Sequence, residues 1–212
     1  MKLLAVDTAL GACSVAIQDG EDVLAHIFEP MERGHAEALA PMVENAMRDA
    51  GIAFAELDRL AVTTGPGTFT GQRVGLAFMR GLRVALHKPL IGVTTLATMG
   101  QRAMAETGLA TYAALHDARR DEVYLQMSGM DDPAVLSFEE ALQAILRLDG
   151  HFALAGTAAP KAATHLLNGV LSAVRQPDAL WVARLAQAMP DSDVPPRPLY
   201  LRAPDAKLPA AR

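Results

Sequence analysis

The densest chemical cues in the chain lie in one short run, Gly65-Pro66-Gly67-Thr68-Phe69-Thr70-Gly71, which follows the apolar stretch Leu60 to Thr64 and opens a long helical pattern. Glycine takes positive φ without steric cost and lets other backbone or a ligand come close. Pro66 stiffens the loop, while Thr68 and Thr70 supply hydroxyls suited to a helix N-terminus. A glycine-rich loop feeding a helix can hold an anion; the same residues equally suit a tight strand-to-helix turn with no ligand. Two phosphate motifs are excluded. Gln72-Arg73 stands where a P-loop needs Lys, and glycines at 65, 67 and 71 miss the Gly-x-Gly-x-x-Gly spacing. Gly67 and Gly71 are expected to be critical to the backbone, strongly so for Gly67 if a positive φ is needed there.

The remaining polar candidates are weaker. Asp7 closes an apolar strand and could orient a metal-bound phosphate, with Thr8 beside it as part of a vestigial phosphate turn; capping of the turn Thr8 to Gly11 is the favoured role. Asp117 to Glu122 holds three carboxylates and two arginines between two apolar strands, the composition of a solvated turn with local ion pairs. Cys13 and Ser14 sit in an alternating strand with no histidine at fixed spacing, so neither is a candidate nucleophile. Cys13 is the single cysteine, which rules out a disulfide framework and a cysteine zinc site. The histidines at 26, 35, 87, 116, 151 and 165 include no pair 3, 4 or 5 apart. No catalytic residue and no metal ligand is therefore assigned.

The elements that must position these residues follow from periodicity. Leu3 to Val6 is a buried strand, and Ser14–Gln18 with Val23–Phe28 forms a hairpin turned at Asp19-Gly20. A helix from His35 to Ala50 is closed by Gly51. Strand Leu60–Thr64, the glycine loop, a helix Gly71–Leu86, strand Pro89–Val93 and helix Thr94–Glu106 follow. Shorter strands come next at Tyr112–His116, Glu122–Met127 and Phe152–Ala155, with helices Phe138–Leu148, Lys161–Leu171 and Ala179–Met189. This layering is α/β. The expected organisation is a larger lobe over 1–100, a smaller α/β lobe over 101–190, and a Pro-rich segment 191–212, extended around Leu199-Tyr200-Leu201 and then loose.

Composition narrows the function classes. A net charge of −5 and a pI near 5.6 exclude autonomous nucleic-acid binding, which needs a basic surface to displace counterions. No run approaches the roughly 20 apolar residues of a membrane span, and Asp7 interrupts the opening apolar stretch well short of signal-peptide length. The expected location is the cytoplasm. Apolar surface is the other informative feature. On the helix to Leu86, Gln72, Arg73, Arg80 and Arg83 share about a third of the circumference at about 100° per residue, and the rest is almost wholly apolar or glycine. One sheet cannot cover so wide a face. The helix from His35 adds Leu39, Met42, Val43 and Met47, with methionines that can repack against more than one partner. Together with Val74, Phe78, Met79 and Leu82 these form an expected partner interface; the same pattern is met if the two helices pack on each other beneath the second lobe.

Several segments then carry a family resemblance. Ala5-Val6-Asp7-Thr8, Cys13-Ser14-Val15-Ala16, the glycine loop running into Arg73-Val74-Gly75, Asp117 to Tyr124, and Pro198-Leu199-Tyr200-Leu201-Arg202 together resemble the bacterial TsaB family over nearly the whole chain. The resemblance implies an actin-like ATPase (ribonuclease H-like) fold, two lobes with mixed sheets, the second reduced. It implies a non-catalytic subunit of the complex that forms N6-threonylcarbamoyladenosine next to the anticodon of tRNAs reading A-starting codons. The implied partners are a TsaD-like catalytic subunit, a TsaE-like ATPase, tRNA held through the complex, and a second copy when alone. No cofactor is implied, with nucleotide only in the complex. The catalytic sister carries two metal-binding histidines four apart; Thr95 and Met99 stand at the matching positions here, and neither replaces an imidazole. The alternative is an actin-like-fold phosphotransferase or a glycoprotease-like enzyme.

Overall fold

The computed structural model describes residues 1–202. Strands β1 (Lys2–Asp7), β2 (Ala12–Asp19) and β3 (Asp22–Pro30) form a meander turned at Gly20, whose φ is 59°. Helix α1 (His35–Ala50) ends at Gly51 in the left-handed conformation, as its periodicity and closing glycine predict. Strand β4 (Arg59–Gly65) leads through the glycine loop into α2 (Phe69–Leu86), then β5 (Leu90–Thr94). The first sheet has the order β3-β2-β1-β4-β5, with β1 antiparallel to β2 and parallel to β4.

Helix α3 (Thr95–Thr107) crosses to a second sheet built from β6 (Tyr112–Asp117), β7 (Glu122–Met127), β8 (Ala134–Ser137), β9 (Phe152–Ala155) and β10 (Gly169–Leu171), in the order β10-β9-β6-β7-β8. Helices α4 (Phe138–Ile145) and α5 (Ala159–Ala163) pack on it, burying Ile145, Leu142 and Ala162 among Leu115, Leu125 and Leu154. Helix α6 (Ala179–Ala188) then returns to the first sheet, where Val182, Ala183 and Ala186 meet Leu3, Ala5 and Ile91. The opposite face of that sheet is covered by α1 and α2. Between the two sheets, α3 places Leu96, Met99 and Ala103 against Tyr112, Ala114 and Ala153.

Three expectations change. The stretch Lys161–Leu171 is not one helix: α5 stops at Ala163, and Gly169 begins an edge strand parallel to β9. Gly169 lies close to Leu154, where a Cβ would be 2.5 Å from a methyl carbon, as expected where an edge strand packs tightly on its neighbour. Strand β8 is additional, a four-residue edge too short and too evenly half-buried to alternate. The segment at Leu199–Leu201 is extended but joins no sheet. It contributes one ladder-like bond, Leu199 N–H to the Thr64 carbonyl at 2.8 Å, and the prolines at 195, 196 and 198 have no N–H to give. The tail expected to be loose beyond it lies outside the described residues.

Candidate functional site

The glycine loop is shaped by the turn after β1. Thr68 N–H donates to the Ala9 carbonyl at 2.8 Å, and the Thr68 hydroxyl accepts from Gly71 N–H at 3.1 Å, making Thr68 the N-cap of α2. This cap starts the helix two residues earlier than periodicity places it. Thr8 donates its hydroxyl to the Gly71 carbonyl at 2.7 Å and accepts from Gly75 N–H at 3.0 Å. Backbone is therefore pressed on backbone. A Cβ at Gly67 would lie 2.4 Å from the Ala9 oxygen, and one at Gly71 would lie 2.2 Å from the Thr8 oxygen. The positive φ expected at Gly67 belongs instead to Gly65, at 111°; Gly67 needs glycine for room, not for its dihedral. Pro66 follows through a cis bond, and Phe69 and Thr70 lie exposed at the start of α2. The space the glycines open is filled by the β1–β2 turn, which favours the tight-turn reading over an anion cradle.

Asp7 ends β1 inside the protein, fully buried. One carboxyl oxygen accepts from Thr63 Oγ1 at 2.5 Å and from Ala9 N–H at 3.2 Å, the turn-capping role; the other oxygen has no partner. Burial pushes the carboxyl up to about 7, against the pull of the two hydrogen bonds, and the nearby charge of Asp178 pushes the same way. Cys13 is buried likewise, and its thiol is pushed up to about 12, which leaves it inert. The turn from Asp117 to Glu122 is exposed at Asp117, Arg119, Arg120 and Asp121, and Arg119, Arg120 and Asp121 all have positive φ. His116, at its base, is held down to about 4 by burial and bonds Thr157.

The residues expected at a partner interface separate into two groups. Leu39, Met42, Val43, Met47 and Met79 are core, and His35 is buried with its Nε2 3.0 Å from the Leu10 carbonyl. Val74, Phe78 and Leu82 pack on that core with part of their surface outside. Between and beside them the outer side of α2 carries Thr70, Ala77, Gly81, Val84 and Ala85, all exposed. Arg73, also exposed, borders this strip and is turned to Tyr200 and Phe69; the strip positions themselves are uncharged, and Val84 is 67% exposed. Among the described residues nothing lies within 4 Å of where a Gly81 Cβ would be, so no contact there calls for glycine. Sequence periodicity found the helix but not this difference between its glycines. The arginines of the polar third, Arg73, Arg80 and Arg83, point to the Pro-rich C-terminal segment, a pairing hinted at only by their shared side.

Thr95 and Met99 are completely buried in α3, and the Thr95 hydroxyl oxygen has no partner. Among the described residues no group of three or more His, Cys, Asp or Glu side chains is placed to hold a metal. No helix of the described residues is long and apolar enough to cross a membrane.

Two mixed five-stranded sheets flanked by helices define an actin-like ATPase fold. The activator of 2-hydroxyisocaproyl-CoA dehydratase from Clostridium difficile shares that fold at a TM-score of 0.54 and 10% identity, over 88% of this chain and 94% of its own. The family model described as TsaD: tRNA N6-adenosine threonylcarbamoyltransferase matches residues 23–168. The tRNA threonylcarbamoyladenosine biosynthesis protein TsaB of Escherichia coli is 39% identical over 69% of this chain, which spans 63% of that relative's length. A Pseudomonas aeruginosa protein described as similar to peptidase YeaZ superposes with a TM-score of 0.78 at 33% identity, covering 95% of this chain and 99% of its own. The chain belongs to the TsaB family.

Proposed function

We propose that the chain is a non-catalytic subunit of the machinery that forms N6-threonylcarbamoyladenosine in tRNA, docking a TsaD-like catalytic subunit through the outer face of α2. The observation that carries this reading is the set of uncharged exposed positions Thr70, Ala77, Val84 and Ala85 on one side of α2, bordered by Arg73, with Gly81 open among them. An exposed glycine inside a helix costs about 1 kcal/mol against alanine, and a partner's backbone crossing there would be its reason. The cytoplasm is the corresponding location. A TsaE-like ATPase and tRNA belong to the same assembly, with tRNA held mainly by the other subunits because this chain is acidic. A second copy occupies the strip when the catalytic subunit is absent, so the two assemblies compete.

The lack of catalysis is proposed from Thr95 and Met99. Both are fully buried, Met99 in the packed interface of α3 with the second sheet, which leaves a metal no open route to substrate. The test is to mix the purified chain with its candidate catalytic subunit and measure heterodimer formation by sedimentation and restored tRNA modification. Substantial threonylcarbamoyl transfer by the chain alone would refute the reading, and Thr95→His with Met99→His should not create it.

A further inference from the structure

Three motifs remain outside the docking role: the Arg73 end of the glycine loop, the turn Asp117–Glu122, and the segment Pro198–Arg202. They meet in space. After α6 the chain is tied along the first sheet by a series of arginines. Arg59, from β4, donates to the Ala186 and Met189 carbonyls at 2.6 and 2.8 Å and pairs with Asp191 at 2.6 Å. From α2, Arg83 donates to the Asp193 carbonyl at 2.9 Å, Arg80 to the Pro196 carbonyl at 2.5 Å, and Arg73 to the Tyr200 hydroxyl at 2.7 Å. Pro196 lies so close to Gly92 that a Cβ there would be 2.6 Å away, and Leu199 bonds the Thr64 carbonyl. Phe69 completes the anchor, its ring stacked on Tyr200 with centroids 5.9 Å apart and the Arg73 guanidinium 3.6 Å above it.

Two residues further on, the same segment grips the other sheet. Arg202 donates to the Ala118 carbonyl at 2.5 Å and pairs with Glu122, at the turn between β6 and β7. That turn holds three successive non-glycine residues, Arg119 to Asp121, at positive φ, a conformation side chains rarely adopt without outside support. Arg73, Arg80 and Arg83 meet neutral oxygens and, among the described residues, no carboxylate. A cleft of about 350 Å³ lies between the glycine loop and the β6–β7 turn, lined on one side by Thr68 and on the other by His116, Asp117 and Arg119.

We propose that residues 189–202 form a strap whose Arg202 latches the two sheets in one relative setting and so fixes the width of the cleft between the glycine loop and the β6–β7 turn. The segment is rooted on α2 and β4 at several points before it reaches Arg202, so its last contact is made from a fixed base. Loss of that contact frees the turn while the root stays docked.

The test places spin labels at Asp49 and Gln143, exposed positions on α1 and α4, after replacing Cys13 by Ala, and measures their distance distribution in the full chain. The parent is expected to give one narrow distribution, and Arg202→Ala and Glu122→Gln a broadened or shifted one with the melting cooperativity kept. Distributions as narrow and as centred in both folded variants as in the parent would overturn the latch. Should the variants fail to fold, hydrogen exchange on the parent decides. A latch requires the amides of 117–122 and of 197–202 to open together, with the same opening equilibrium within about twofold; unrelated openings would overturn it.

Discussion

Replacing Asp7 by Asn should remove a pH dependence of stability built into the end of β1. The carboxyl is fully buried with one unpartnered oxygen, and burial pushes it up to about 7 from an ordinary value of 3.8. Because the folded state holds this proton more tightly than the unfolded chain, the group stabilises the fold most below about pH 4, and that stabilisation is lost as pH rises to about 7. At about 1.4 kcal/mol per unit, the full swing is about 4 kcal/mol as an upper bound. Wild-type data alone would hide it. His116, held down to about 4 by burial, gains a proton more readily when unfolded, so its contribution rises with pH between about 4 and 6.5 and opposes the loss from Asp7. The informative quantity is the difference between Asp7→Asn and wild type in urea unfolding at pH 4.5, 6 and 7.5. Asn keeps an acceptor for Thr63 and Ala9 and cannot ionise, so the variant should gain on wild type steadily as pH rises. A constant difference across that range would refute the buried, proton-binding Asp7.

The other predictions concern the glycines and the docking face. Gly67→Val should lower stability by about 1 to 3 kcal/mol, because its side chain must displace the Ala9 carbonyl; an unchanged melting temperature would contradict that packing. Thr68→Ala, which loses the cap on Gly71 and a 3.3 Å bond to the Ala9 carbonyl, should cost about 1 kcal/mol in the same assay. Gly81→Leu should leave the monomer as stable or raise it by ~0.5–1 kcal/mol through helix propensity, while weakening homodimer and heterodimer together in sedimentation. Phe78→Glu should break the same assemblies by desolvating an unpaired charge, with circular dichroism alongside because part of Phe78 packs on the core.

The sequence was most legible where the local rule and the tertiary demand agree. Helix α1 ends where its 3.6-residue period meets Gly51, and the left-handed cap there needs nothing from elsewhere in the chain. The strands β1, β4 and β6 are buried apolar runs bounded by turn residues, so their limits were legible to within a residue or two. Where the cause lies far away in sequence, reading failed. The crowding that fixes Gly67 and Gly71 comes from carbonyls of Thr8 and Ala9, about sixty residues earlier, and nothing near the loop signals it. Within 161–171 the strand at 169–171 is set by pairing with β9, and the arginines of α2 are explained by oxygens more than a hundred residues away. The expected interface mixed core with surface for the same reason. Periodicity tells that a helix has a wide apolar face but not how much of it the rest of the chain covers.

The glycines of α2 separate fold from function within a single helix. Gly71 and Gly75 sit where a side chain would strike Thr8, so the architecture of the first sheet is a sufficient reason for both. Gly81 lies two turns further on with open space around it, in a helix whose other exposed positions nearby are Ala77, Val84 and Ala85. Neither turn geometry nor packing among the described residues accounts for it, and helix propensity argues against it. Under the proposed docking role, a partner backbone crossing at Gly81 would offset that cost. If association survives a large side chain at Gly81 unchanged, the docking face lies elsewhere, and the fold and family stand without it.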